Sequence, residues 1–146
     1  MKYRMSYPLV MRANCRIDLI PPSKNITVYL YHNQLAAIYL AEMAKLISGE
    51  SLEYDMSLKI VELCSESAPV ARKQYADAWR IGVANTHVFS FARSEANAAL
   101  RYIRFYAGDA TTAFGTGMIM SEIAVNFSKT GDYIMNIVYS TGIQNA

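Results

Sequence analysis

Thr86-His-Val-Phe-Ser-Phe-Ala-Arg-Ser-Glu-Ala-Asn-Ala-Ala-Leu-Arg-Tyr-Ile-Arg-Phe-Tyr-Ala107, closed by Gly108, is the stretch on which the fold class turns. Within it Ser90, Arg93, Ser94, Asn97, Arg101 and Arg104 follow one another at steps of three and four residues. That spacing holds side chains on one face of an α-helix. The stretch therefore reads as an amphipathic helix with a polar, arginine-bearing stripe and Tyr102, Phe105 and Tyr106 beside it. Gly82 and Asn85-Thr86 allow a break before it, so it is either a separate helix or the second half of a kinked one.

The same reading extends in both directions. Upstream, Ser67-Ala-Pro69 carries a helix-start signature for a segment with Val70, Tyr75, Ala78, Trp79, Ile81 and Val83 as its apolar positions. Before that, a helix is expected from Ser51 to about Glu66, with Glu53 and Asp55 at its positive end. Another is expected from an Asn33 N-cap to Ser48, stopped by Gly49. The body of that helix, Leu35 to Ile47, is apolar on almost every side and is expected to be central to a core or an interface. Downstream, Ala113, Gly117, Ser121 and Ala124 or Val125 form a small-residue stripe in a further helical pattern that starts near Asp109. Tyr133 to Tyr139 is short and apolar enough to read equally as strand or helix.

Residues 1–25 hold three of the four prolines and no sustained period, which predicts an extended arm. Ile26-Thr-Val-Tyr-Leu-Tyr31 is β-branched and aromatic and predicts one short strand, which must find a partner. The expected architecture is mainly α: an arm with a short strand over 1–31, then a bundle of four to five helices over 32–146.

At 146 residues the chain makes one domain, yet 53% of its residues are hydrophobic and 18% charged, more apolar than a monomer of this size readily hides. The apolar segments expected to be helical are each too short to cross a bilayer, so no membrane span is expected, and surface contact with lipid stays open. The basic N-terminus is interrupted by Arg12, Arg16 and Asp18 and is not a secretory signal. The net charge of +2 is too mild to demand a polyanion. Charge is instead arranged in blocks: five bases and one acid in 1–31 (+4), two and six in 32–66 (−4), six and two in 67–107 (+4), one and three in 108–146 (−2). Such blocks can pair within a molecule or between copies.

Chemistry finds little purchase. Cys15 and Cys64 lack CxxC spacing; Cys64 reads as a small core residue, and neither a disulfide framework nor a metal site is expected. His32 and His87 have no second ligand at metal spacing, and Cys64 with His87 is the only nucleophilic pair that can be named. Gly115-Thr-Gly117 lacks the lysine of a phosphate loop. No catalytic residue and no cofactor are expected.

Two groups of residues are candidates for contact. Arg93, Asn97, Arg101 and Arg104 on the expected helix, with Arg12, Arg16 and Lys24 on the arm, would touch a nucleic-acid backbone or an acidic partner. Tyr3, Met5, Tyr7, Leu9 and Met11 give the arm a surface suited to docking on another copy, in a chain with 11 tyrosines and 8 methionines.

The arm Met1 to Pro22, the apolar helix Leu35 to Ile47 and the basic face Arg93, Arg101, Arg104 together resemble the small all-helical coat proteins of rod-shaped, filamentous and spindle-shaped archaeal viruses. The resemblance implies a helical bundle that assembles into helical arrays inside a virion. The function expected is a non-enzymatic, self-assembling structural protein, most specifically a coat subunit. The other reading is a small helical regulator or nucleoprotein subunit, cytoplasmic, that binds nucleic acid or protein through the basic face.

Overall fold

Between Thr86 and Ala107 the side chains alternate rather than spiral. The computed structural model of the chain describes the backbone of residues 9–145 and the side chains of residues 11–142. In it Ala84–Phe91 and Ala98–Ala107 are strands, labelled β6 and β7 below, joined by a loop over 92–97. Phe89, Phe91, Leu100, Ile103, Phe105 and Ala107 point inward and are buried, while Tyr102, Arg104 and Tyr106 face out. A period of two, interrupted by a loop and by a register shift between Leu100 and Tyr102, places its polar residues at steps of three and four by coincidence. The β-branched and aromatic content of Val88, Phe89, Phe91, Tyr102, Ile103 and Phe105 suits a pleated surface. The expected helical bundle is therefore corrected: the chain is 55% strand and 8% helix.

The strands in order are β1 (Leu9–Ile20), β2 (Thr27–Asn33), β3 (Ile60–Cys64), β4 (Pro69–Gln74), β5 (Asp77–Ile81), β6, β7, β8 (Met118–Lys129) and β9 (Ile134–Asn145), with one helix α1 (Ala37–Ile47) after β2. They form two antiparallel sheets, β2-β1-β9-β6-β5 and β4-β3-β7-β8. Hairpins alternate between the sheets, and β9 enters the first sheet between β1 and β6.

The expected arm is not a separate element. Residues 9–20 are β1, which pairs with β2 on one side and along its full length with β9 on the other. The strand expected over 26–31 is present as β2, its partner being the arm itself, and the ambiguous 133–143 segment is strand. Of the expected helices only the first forms, from Ala37, with Gly49 at φ +76 after its end. Its cap is Ala36 rather than Asn33, and no side chain bonds the cap. Nor is it central: Tyr39 and Glu42 are buried, whereas Ile38, Leu40, Leu46 and Ile47 are exposed. Glu42 holds the following loop, accepting from the backbone N–H of Glu53 at 2.9 Å and from Lys45 Nζ at 2.8 Å. The lysine keeps its carboxyl below the usual carboxylate range. No helix among the described residues is long and apolar enough to cross a membrane.

The two sheets meet through Ala13, Cys15, Ile17, Phe89, Ile137 and Tyr139 on one side and Val61, Leu63, Ile103, Phe105 and Ile123 on the other. Tyr139 stacks on Phe105 at 3.8 Å between ring centroids, and its hydroxyl meets Ser121 Oγ at 2.6 Å in the core. Pairing this hydroxyl follows from the penalty on an unpaired buried polar group. The sandwich edges are sealed by stacking of Tyr29 on Phe127 and by Tyr75 packed edge-on against His87 and Phe89.

The expected small-residue stripe is a loop followed by β8. Gly117, at φ +93, lies so close to Ala110 that an added Cβ would come within 2.4 Å of the alanine Cβ, whereas Gly82, at φ +58 in the β5–β6 turn, has open space around it. Gly82→Ala should cost about 1–2 kcal/mol, the left-handed penalty alone. Gly117→Ala should cost clearly more, and urea unfolding of the two variants side by side measures the difference.

Candidate functional site

The basic residues expected on one helix face are dispersed by the sandwich. Arg93 and Asn97 are exposed in the β6–β7 loop, where their backbone and side chain hold Lys129: its Nζ donates to Asn97 Oδ1 at 2.8 Å and to the Arg93 carbonyl at 3.3 Å. Lys129 is itself buried, and burial lowers its pKa. Arg101 sits at the irregularity of β7 and donates to the carbonyl of Leu100. Arg104, three residues on, faces out from the four-stranded sheet. Arg12 and Arg16 lie on the outer face of the other sheet, Arg16 Nε 3.2 Å from Asp18 Oδ1, and Lys24 is in the β1–β2 turn at φ +61. Tyr3, Met5 and Tyr7 lie outside the described residues. Leu9 begins β1, its side chain also outside them, and Met11 packs partly buried against the core.

Two features that the sequence reading did not single out organise the polar chemistry and the surface. The first is Glu62. As the middle residue of β3 it points away from the sandwich core, yet it is buried, because β4 and β7 place Arg72 and Arg104 directly on either side of it. Arg72 Nε donates to Glu62 Oε1 at 2.8 Å, the two side chains 1% and 3% exposed, and Tyr106 OH donates to Oε2 at 3.2 Å. Arg104 Nη1 stands 3.6 Å from Oε2 while its Nε donates to Glu122 at 2.5 Å. The hydrogen bond to Glu122 raises the Arg104 pKa. Burial, then the charge of Glu62, raises the Tyr106 pKa.

Arg72 also reaches over the sheet, stacked 4.3 Å from the Tyr106 ring centroid, and Nη1 donates to the carbonyls of Thr111, Ala113 and Thr116. One guanidinium thus ties β3, β4, β7 and the 108–117 loop together, a use to which its planar set of donors is suited. The cluster is closed: each charge has a partner of opposite sign, and the arrangement holds a loop rather than presenting a reactive group. The alternation Ile60-Val-Glu-Leu-Cys64 with Arg72 ten residues on was the available signal, masked because the segment was read as helix.

The second feature is β5, Asp77-Ala-Trp-Arg-Ile81, every residue of which is exposed. It is the outer strand of the five-stranded sheet and has β6 as its only neighbour. Trp79 and Ile81 project to the outer face, leaving two large apolar side chains exposed together, and Val83, beyond the Gly82 turn, is exposed as well. The sequence reading took these residues for the apolar side of a helix. Asp77 followed by Ala-Trp-Arg-Ile and the turn-forming Gly82 was the signal for a hairpin strand.

The pair Cys64 and His87 is separated between the sheets. Cys64 lies beside Glu62 in β3, and His87 packs against Tyr75 from β6, where burial lowers its pKa. No group of three His, Cys, Asp or Glu side chains among the described residues converges as for a metal ion. Comparison with known families, curated proteins and solved structures finds nothing that matches the chain.

Two outcomes follow from this geometry. Glu62→Ala, which strands Arg72 in the interior, should lower stability by about 3–5 kcal/mol. Glu122→Ala, at the exposed end of the same cluster, should lower it by under about 1 kcal/mol. Denaturant midpoints read both, and equal losses would show that Glu62 is not the pivot. Burial pushes the thiol pKa of Cys15 up to about 12 and that of Cys64 up to about 11, so both are neutral at pH 8. A disulfide reagent at that pH should leave both unreacted in the native protein and titrate both after unfolding.

Proposed function

We propose that this chain is a non-enzymatic, self-assembling structural protein whose copies join through β5. The observation that carries the proposal is a fully exposed edge strand with Trp79 and Ile81 uncovered on its outer face. An edge strand presents unpaired N–H and C=O groups to any other strand, and monomeric proteins usually blunt such edges. Trp79 and Ile81, uncovered at the same place, add burial to the backbone pairing.

A second copy is the occupant that suits this edge. With two β5 strands antiparallel across a two-fold axis near Trp79, the acidic Asp77 end of each strand meets the end of the other that carries Arg80. Tryptophan against tryptophan would lie at the centre, where interfaces concentrate their binding energy. A virion location or a coat role would need a genome-facing surface as well, and the basic residues expected to form one are spread over both sheets and their loops.

The test is sedimentation velocity at rising protein concentration for the native chain and for Trp79→Glu combined with Ile81→Lys. The native chain should form dimers or larger species, and the variant should sediment as a monomer with unchanged circular dichroism. A native chain that stays monomeric throughout, or a variant that assembles as well as the parent, overturns the proposal.

A further inference from the structure

Helix α1 turns an uncharged, largely apolar side to solvent. Ala37, Leu40, Ala41, Ala44, Ile47 and Ser48 share one face at helical spacing and are all exposed, Ile47 at 83%. Tyr39 and Glu42 face the domain. The helix has two charged side chains, and neither is on the outer face: Glu42 is buried, and Lys45 is drawn to it, Nζ 2.8 Å from Oε1. A surface helix ordinarily shows the reverse order, with charge toward water and apolar residues toward the core.

The two ends of this face are bordered by opposite charge. Arg12 lines the same shallow hollow as Leu35 and Leu40, which puts it beside the first turns of α1. It has no acidic partner among the described residues, whereas Arg16, Arg72 and Arg104 each have one. Glu50 and Glu53 follow the last turn and are exposed.

We propose that this face pairs with the same face of a second copy, the two α1 helices antiparallel about a two-fold axis near Ala41 and Ala44. Ala41 of each copy then meets Ala44 of the other, Leu40 meets Ile47, and Ala37 meets Ser48. The small residues let the helices approach, and the two large ones cover each other along one side. Glu50 of each copy arrives at the end of the other helix that has Arg12, so the charges are complementary twice over, and the helix dipoles run in opposite senses. A parallel pair would set Arg12 against Arg12. An anionic lipid surface would meet Glu50, Glu53 and Asp55 around the end of the helix, which makes a second copy the better occupant.

With eleven residues the helix is about 16 Å long, so the contact is weak by itself and closes at higher concentration than the β5 contact. Its geometry is independent of β5; only its consequence rests on the assembly proposed above. Two different two-fold contacts on one chain give an open row of copies, where β5 alone closes at a dimer.

Disulfide trapping in the Trp79→Glu, Ile81→Lys chain, whose β5 edge is blocked, tests the contact at about 0.5 mM, a concentration suited to weak association. Two forms of that chain, one with Ala37→Cys and one with Ser48→Cys, are mixed and oxidised with diamide. Cys15 and Cys64 are buried and do not compete. A dimer joining position 37 to position 48 is expected at about tenfold the yield from either form alone, since like positions lie about 16 Å apart along the helix, beyond the reach of a disulfide. Ala44→Glu, which puts a carboxylate into the seam, should abolish the dimer. Arg12→Glu should lower its yield by about twofold to tenfold, two exposed pairs being lost at each contact, and Glu50→Arg in the same chain should restore it. Equal yields in the mixture and in either form alone, no dimer at all, or an unchanged yield in Arg12→Glu would each overturn the contact and leave β5 pairing, which the native chain reports, untouched. Pelleting with phosphatidylcholine vesicles that is lost in Ala44→Glu would assign the face to lipid and overturn it as well.

Discussion

The five-stranded sheet depends on β9 lying between β1 and β6. Twelve residue pairs join it to β1, from Leu9 with Asn145 to Ile20 with Ile134, and eight join it to β6. The two hairpins on either side, β1–β2 and β5–β6, do not touch through strand pairing except by way of β9. Its inward side chains Met135, Ile137 and Tyr139 are fully buried, and Tyr139 crosses to the other sheet through its stack on Phe105 and its bond to Ser121. The strand is thus both the seam of one sheet and a main contact with the other. A slip of one residue in its register would turn those three side chains out and Asn136, Val138 and Ser140 in.

The two sheets solve the problem of their outer faces differently. The four-stranded sheet covers its face with its own chain: Arg72 and Tyr106 fold over Glu62, and the 108–117 loop is tied down on the guanidinium. Paired ions buried in this way do less for stability than for uniqueness of arrangement, since each partner is costly only when the other is missing. The five-stranded sheet has no such cover. Its outer face is built mainly of Asn14, Arg16, Asn136, Ser140 and Thr86, which tolerate water, around the half-buried pair Val88 and Val138, and its exposed large apolar residues are at the two edges, Val28 and Leu30 on β2 and Trp79 and Ile81 on β5. Among the described residues, the surplus of apolar residues in the composition lies there and on the solvent side of α1.

Some of this was legible in the sequence. The β-branched run at 26–31 and the helix that ends at Gly49 are both local signals, and they are found close to where they were expected. What failed was the assignment of period. Strands of 8 to 12 residues broken by irregularities, such as β7 at Leu100/Tyr102 and Phe105/Tyr106, produce polar steps of three and four that imitate a helix. Alanine-rich stretches such as Glu95-Ala-Asn-Ala-Ala99 strengthened the imitation, because alanine favours helices until tertiary pairing overrides it. Of the features that carried the resemblance to helical coat proteins, the basic face rested on the same period and does not form, and the helical bundle that the resemblance implied is not observed. The site residues were illegible for a further reason: Glu62, Arg72 and Arg104 are neighbours only through the β3–β4 and β3–β7 ladders.

The late position of β9 in the chain also has a bearing on synthesis. A ribosome releases β1, β2, β5 and β6 well before residues 134–145, so each hairpin must wait with one long edge bare. Contacts of such wide sequence separation form slowly once the strand does arrive. During that interval β1, rich in Leu, Val and Ile, is a better template for a neighbouring nascent chain than any edge of the finished protein. Crowding of several ribosomes on one message would therefore favour exchange of β9 between chains, and slow translation near the end of the sandwich would worsen it.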